Sequence, residues 1–107
     1  MKKVDAIGII ETQYFTVAME MLDHICKTAQ VEFLSSENYL GGRLVSLIIG
    51  GTIADVTEAV KAAKALGEKK QNRPLKKALV ITNPHQEILR FIISPETEEV
   101  GQEDTSI

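Results

Sequence analysis

Leu44-Val45-Ser46-Leu47-Ile48-Ile49 is the most apolar stretch of the 107-residue chain, and Gly50-Gly51 closes it. Its length, glycine stop and share of β-branched side chains predict a central strand rather than a helix. Immediately after it, Thr52 stands where a helix cap belongs, and Ile53, Val56, Val60, Ala63 and Leu66 recur at helical spacing. Asp55 and Glu58 near the start of that helix and Lys61, Lys64, Lys69 and Lys70 toward its end suit the helix dipole. Gly67, or the polar run behind it, is expected to stop the helix.

Before the central strand lies Glu37-Asn38-Tyr39-Leu40-Gly41-Gly42-Arg43, a glycine-bearing loop, and before the loop Val31-Glu32-Phe33-Leu34-Ser35 reads as a second strand. Nearer the start, Ala6-Ile7-Gly8-Ile9-Ile10 is a buried strand bounded by Asp5 and Glu11. Thr12 is the expected cap of an amphipathic helix over residues 14–29, whose apolar positions are Phe15, Ala18, Met21, Leu22, Ile25 and Ala29. Beyond the Gln71-Asn72-Arg73-Pro74 loop, Ala78-Leu79-Val80-Ile81 is a fourth strand. Asn83-Pro84-His85 then opens a short helix carrying Ile88, Leu89 and Ile92. The prediction is an α+β fold, β-α-β-β-α-β plus a short C-terminal helix, with helices packed on one face of a four-stranded antiparallel or mixed sheet.

One compact domain over residues 1–93 fits this length, followed by a tail over 94–107 that is expected to be mobile. The tail holds Glu96, Glu98, Glu99, Glu103 and Asp104 and no Lys or Arg. The formal net charge of the whole chain is -3, so residues 1–93, with 12 basic and 10 acidic groups, carry +2. That balance is too mild for a default nucleic-acid binder, and no apolar run reaches the length of a membrane span. A single cysteine, Cys26, forms no internal disulfide, and with two histidines it makes no metal-ligand pattern, so a cytoplasmic protein without metal or cofactor is expected.

The glycine loop is not a phosphate-binding loop, because a strand follows it instead of a helix and no Lys-Ser/Thr pair is present. A hairpin-type turn needing positive φ accounts for Gly41-Gly42. His24 and His85 lack a nucleophile, a paired carboxylate or a second ligand at useful spacing, and Cys26 reads as a core or near-core residue. Lys27 and Arg43 read first as solvated surface charges. No catalytic residue emerges, and composition, period and spacing end at an α+β domain without an assembled active site.

Across roughly residues 5–92 the order of these motifs resembles the bacterial microcompartment shell proteins of the single-domain, hexamer-forming type. Ala6-Ile7-Gly8-Ile9-Ile10-Glu11-Thr12 is similar to that family's first strand with its closing Glu-Thr pair, and Lys27 falls where members carry a lysine at the hexamer edge. Leu44-Val45-Ser46-Leu47-Ile48-Ile49-Gly50-Gly51, followed by Ile53-Ala54-Asp55-Val56, resembles the central strand and second helix. Asn83-Pro84-His85 resembles an Arg-Pro-His that follows the last strand. The resemblance implies the ferredoxin-like-related fold of these proteins and a structural, non-enzymatic role in the microcompartment shell. It also implies homohexamers that tile with other shell proteins around encapsulated enzymes. Small polar or anionic metabolites would cross a central pore lined by Tyr39, Leu40, Gly41, Gly42 and Arg43, in a segment one residue longer than the common form. Lys27, Asn83, Pro84 and His85 would serve the hexamer edge, where Asn83 replaces the family's arginine. A trimeric, small-molecule-binding signalling regulator shares the β-α-β-β-α-β plan, but it would carry a long loop where this chain has residues 37–43.

Overall fold

The computed structural model describes residues 4–84. The elements are β1 (Ala6–Gln13), α1 (Phe15–Thr28), β2 (Glu32–Tyr39), β3 (Leu44–Gly51), α2 (Ile53–Lys69) and β4 (Leu75–Thr82). All pairings are antiparallel and the four strands lie in the order β2-β3-β1-β4, which resolves the antiparallel-or-mixed alternative. The predicted short C-terminal helix, His85 and the 94–107 tail lie outside the described residues.

The central apolar run is central in space as well, with β3 flanked by β1 and β2. Successive strand residues point to opposite faces, so Val45, Leu47 and Ile49 share a face with their β1 partners Thr12, Ile10 and Gly8. That face meets the helices. Ile10, Val45, Leu47 and Ile49 join Ala18, Met21 and Ile25 of α1 and Ala59 and Ala63 of α2 in one fully buried cluster. Each large apolar side chain so enclosed contributes about 1.5–3 kcal/mol relative to exposure. Gly8 lets α2 approach closely, since a Cβ there would stand 3.1 Å from Ile49, Val56 and Val60 alike.

Both strands of the first half run longer than local sequence suggests. β1 continues through Thr12 to Gln13, because β3 offers partners as far as Gln13↔Leu44 and the ladder satisfies the backbone that a helix start would leave unpaired. The expected Thr12 cap is therefore corrected. Thr12 is buried inside the strand, and Tyr14, at φ 69 and ψ 124, occupies the cap position of α1 without a side-chain cap bond. Likewise β2 takes in Ser36, Glu37, Asn38 and Tyr39, all paired with β3. Thr52 caps α2 as expected: its Oγ1 accepts from the Asp55 N–H at 3.1 Å and donates to Asp55 Oδ2 at 2.9 Å. Of the two expected stops of α2 the polar run holds, with Lys69 the last helical residue, while Gly67 lies buried inside the helix, where a Cβ would come within 2.9 Å of Leu75 Cβ. Cys26 is also corrected from core or near-core to exposed, because Ile25 takes the inward position at that turn of α1.

Candidate functional site

β2 and β3 remain paired up to Tyr39↔Leu44, so only residues 40–43 are left to reverse the chain. Leu40, Gly41 and Gly42 take φ values of 54°, 66° and 89°, three successive residues in the left-handed region. Glycine enters that region freely, whereas an L side chain there costs about 1–2 kcal/mol, a cost that falls on Leu40. The turn is tied by its own end. The Leu40 carbonyl accepts from the Arg43 backbone N–H at 3.3 Å and from Arg43 Nε at 3.1 Å. Arg43 is exposed; with Nε committed, its terminal guanidinium N–H groups remain to meet solvent or an anion.

A second tie joins this loop to the β1–α1 junction. The Tyr14 N–H donates to the Arg43 carbonyl at 3.1 Å, and a Cβ at Gly42 would lie 3.8 Å from Phe15 Cβ. Leu40, Tyr14 and Phe15 are 67%, 46% and 48% exposed, so three large apolar side chains stand in water around one small, firmly held loop. Tyr14 and Phe15 were missed as site residues by sequence reasoning. Their one signal is an aromatic pair exactly where a strand hands over to a helix whose apolar stripe is already complete without Tyr14.

Beside the loop, on the sheet face away from the helices, Glu11, Ser46 and Glu37 form a row across three strands. Ser46 Oγ donates to Glu11 Oε2 at 3.3 Å. Burial first, then the carboxylates of Glu37 and Glu11, push the Tyr39 hydroxyl above its ordinary value of 10.0. Tyr39 thus remains a neutral hydroxyl, able to donate and accept, throughout the physiological range.

The other sequence-predicted site residues are not gathered here. α1 starts at the loop and runs away from it, so Lys27 stands about 18 Å further along the helix axis. Lys27 is exposed and pairs with Asp23 at 3.0 Å, and His24, exposed beside it, accepts the Thr28 hydroxyl on its carbonyl at 2.8 Å. Asn83 follows the end of β4 that pairs with Ala6, about 24 Å along β1 from Gln13. Its φ is 50°, and its N–H donates to the Asp5 carbonyl at 2.8 Å. Pro84 is half-buried beside it, and His85 lies outside the described residues. Two groups therefore stand at opposite ends of the domain, residues 39–43 at one and Lys27 with Asn83 and Pro84 at the other. Among the described residues no group of three or more His, Cys, Asp or Glu side chains could hold a metal ion.

Comparison with known proteins follows this layout. The BMC domain profile matches residues 6–84. The probable carboxysome shell protein CsoS1E of Prochlorococcus marinus is 36% identical over 83 residues, covering 78% of this chain and 40% of its own length. The carboxysome shell protein CcmK2 of Synechocystis is 29% identical over 97 residues, covering 91% of this chain and 93% of its own. CsoS1A of Hydrogenovibrio crunogenus, also a carboxysome shell protein, is 34% identical over 78% of this chain and 84% of its own length. A crystal structure of a microcompartment protein from Desulfitobacterium hafniense shares the fold with a TM-score of 0.72 at 24% identity, covering 86% of this chain and 48% of that one. The profile spans the whole sheet, both helices and the tied loop, and the chain belongs to the BMC-domain family of bacterial microcompartment shell proteins.

Proposed function

We propose that this chain is a structural building block of a bacterial microcompartment shell and that it assembles into cyclic homohexamers that tile with other shell proteins around encapsulated enzymes. The observation that carries this reading is the exposed apolar group of Leu40, Tyr14 and Phe15 around a loop locked by hydrogen bonds from both sides. A lone domain leaves those side chains in water, whereas a neighbouring copy would cover them, and repetition of one heterologous contact closes a ring.

In that ring, residues 39–43 face the axis and line a pore for small polar or anionic metabolites. Arg43 supplies the rim charge. Because its Nε is held by the Leu40 carbonyl, the remaining N–H groups of each copy converge in a fixed pose, and a ring of such cations raises the local concentration of anions. Gly41 and Gly42 set the pore width, as neither carries a side chain. Lys27, Asn83, Pro84 and His85 belong to the outer rim, where rings meet. There Lys27 donates to a neighbouring ring's carbonyl or carboxylate oxygens in place of Asp23.

Size-exclusion chromatography with light scattering tests the ring, with about six chains per particle expected. A stable monomer sinks this reading. A trimer that binds a nucleotide would instead favour the signalling-regulator alternative, against which the four-residue connection between β2 and β3 argues. For the edge, Lys27→Ala is expected to leave the ring whole and to impair two-dimensional sheets seen by electron microscopy.

A further inference from the structure

We propose that the basic surface over the C-terminal half of α2 and the α2–β4 turn is a docking surface for the acidic segment 94–107 of the same chain. Between residues 61 and 76 the sequence places Lys61, Lys64, Lys69, Lys70, Arg73 and Lys76 against one acid, Glu68. Lys70 is engaged with Glu20 of α1, but the other five cations make no ion pair with a described residue. Lys61 and Lys64 are three apart and share a helix face. The fold then brings Arg73 to Lys64, because the turn carries the chain back along α2 and the Gln13 N–H donates to the Pro74 carbonyl at 2.9 Å. Lys64, Gly67, Glu68, Arg73 and Leu75 line an open recess of about 210 Å³. Lys69, also exposed, follows on α2.

The recess combines one apolar side chain, Leu75, with two cations, Lys64 and Arg73, and a single carboxylate, Glu68. A partner whose negative charges are interrupted by an apolar residue fits it better than a nucleic-acid backbone, whose unbroken charge Glu68 would repel. Glu98-Glu99-Val100 followed by Glu103-Asp104 has that pattern. Reach permits the contact. The described chain ends at Pro84, just past β4; with residues 84–92 in the expected short helix, about 12 Å of helix rise and about 23 Å of extended chain from Ile92 to Glu99 together give about 35 Å, against about 24 Å back along β4 to Leu75. Tethering also gives the segment a millimolar-scale effective concentration at the surface, which no free polyanion at ordinary levels matches. Neither the charge pattern nor the recess depends on ring formation.

Zero-length carbodiimide cross-linking of the full chain, read by mass spectrometry, tests the contact, with an equal mixture of isotopically light and heavy protein separating contacts within and between copies. The expected result is amide links from the 96–104 carboxylates to Lys61 and Lys64 within one copy. Their yield should fall several-fold between about 0.05 M and about 0.5 M salt, as screening of exposed charges requires. It should fall similarly when Arg73→Glu is combined with Glu68→Lys, which scrambles the recess while keeping its net charge and both lysine acceptors. Links spread evenly over all exposed lysines, Lys27 included, would overturn the proposal, as would links that form only between copies or that ignore salt. Equal binding of a short oligonucleotide by the full chain and by the variant with all five tail acids neutralised would also overturn it, because a docked segment must compete.

Discussion

The chain contains two Gly-Gly pairs, one at each end of β3, and they are glycine for opposite reasons. Gly41 and Gly42 stand at φ 66° and 89° in open surroundings, with nothing within 4 Å of a Cβ at Gly41. Gly50 and Gly51 have no positive φ but are crowded: a Cβ at Gly50 would come within 2.9 Å of Leu34 Cδ1 and 3.1 Å of Val4 Cγ1, and one at Gly51 within 3.3 Å of the Gln30 carbonyl. The first pair is chosen for backbone conformation, the second for space. One dipeptide therefore marks a left-handed turn at one end of the strand and close packing at the other.

Substitution separates the two. Gly50→Val should act most strongly, since overpacking a filled site costs about 1–3 kcal/mol, and the urea unfolding midpoint should drop while the slope stays unchanged. A wild-type midpoint would mean that Leu34 and Val4 swing aside freely. Gly41→Ala should cost about 1–2 kcal/mol through the left-handed backbone alone, and Gly41→Asn should recover most of that because asparagine tolerates the region. If Asn and Ala at residue 41 prove equally harmful, space rather than conformation governs the loop, and the contrast between the pairs fails.

Arg43→Ala removes one of two hydrogen bonds to the Leu40 carbonyl on an exposed loop, so stability should shift by at most about 0.5–1.5 kcal/mol. On the proposed ring reading its larger effect falls on function: the ring should survive and anion passage, measured as conductance of reconstituted discs, should decrease. Collapse of the ring would move Arg43 from the rim to a subunit contact.

The smallest effect concerns Tyr39, which closes the loop-side end of β2. Its folded pKa lies above 10.0, so the folded chain holds the phenolic proton that the unfolded chain releases first. Stability from this source is fully present below pH 10.0 and is lost as pH rises through the folded value. Glu37→Gln should lower the pH at which Tyr39 ionises, followed by phenolate absorbance, without restoring the ordinary value, since burial is the first cause. No change on that substitution would leave the shift to burial and the Glu11 carboxylate.

Much of this was legible in the residues themselves. Thr52 and Asp55 announced the start of α2, the apolar run over 44–49 announced a central strand, and Gly41-Gly42 announced positive φ, because capping, hydrophobic period and glycine's freedom act over a few residues. Thr12 misled for the complementary reason. A hydroxyl before an apolar helical stripe looks like a cap, yet β3 supplied ladder partners that outweighed the local preference. Cys26 misled because helical phase cannot be fixed to one residue when Ile25 beside it competes for the same inward position.

Over the described residues, sequence by itself determined which segments are strands and helices, where α2 begins, and where the chain must turn through left-handed backbone. Only the tertiary structure decided the β2-β3-β1-β4 order and how far each strand runs, and only it brought the exposed Tyr14 and Phe15 beside Leu40 and set Lys64 against Arg73 across a turn. Propensity and period are properties of neighbours in the chain. Strand length, exposure and the meeting of distant side chains are set by which partner the folded sheet supplies.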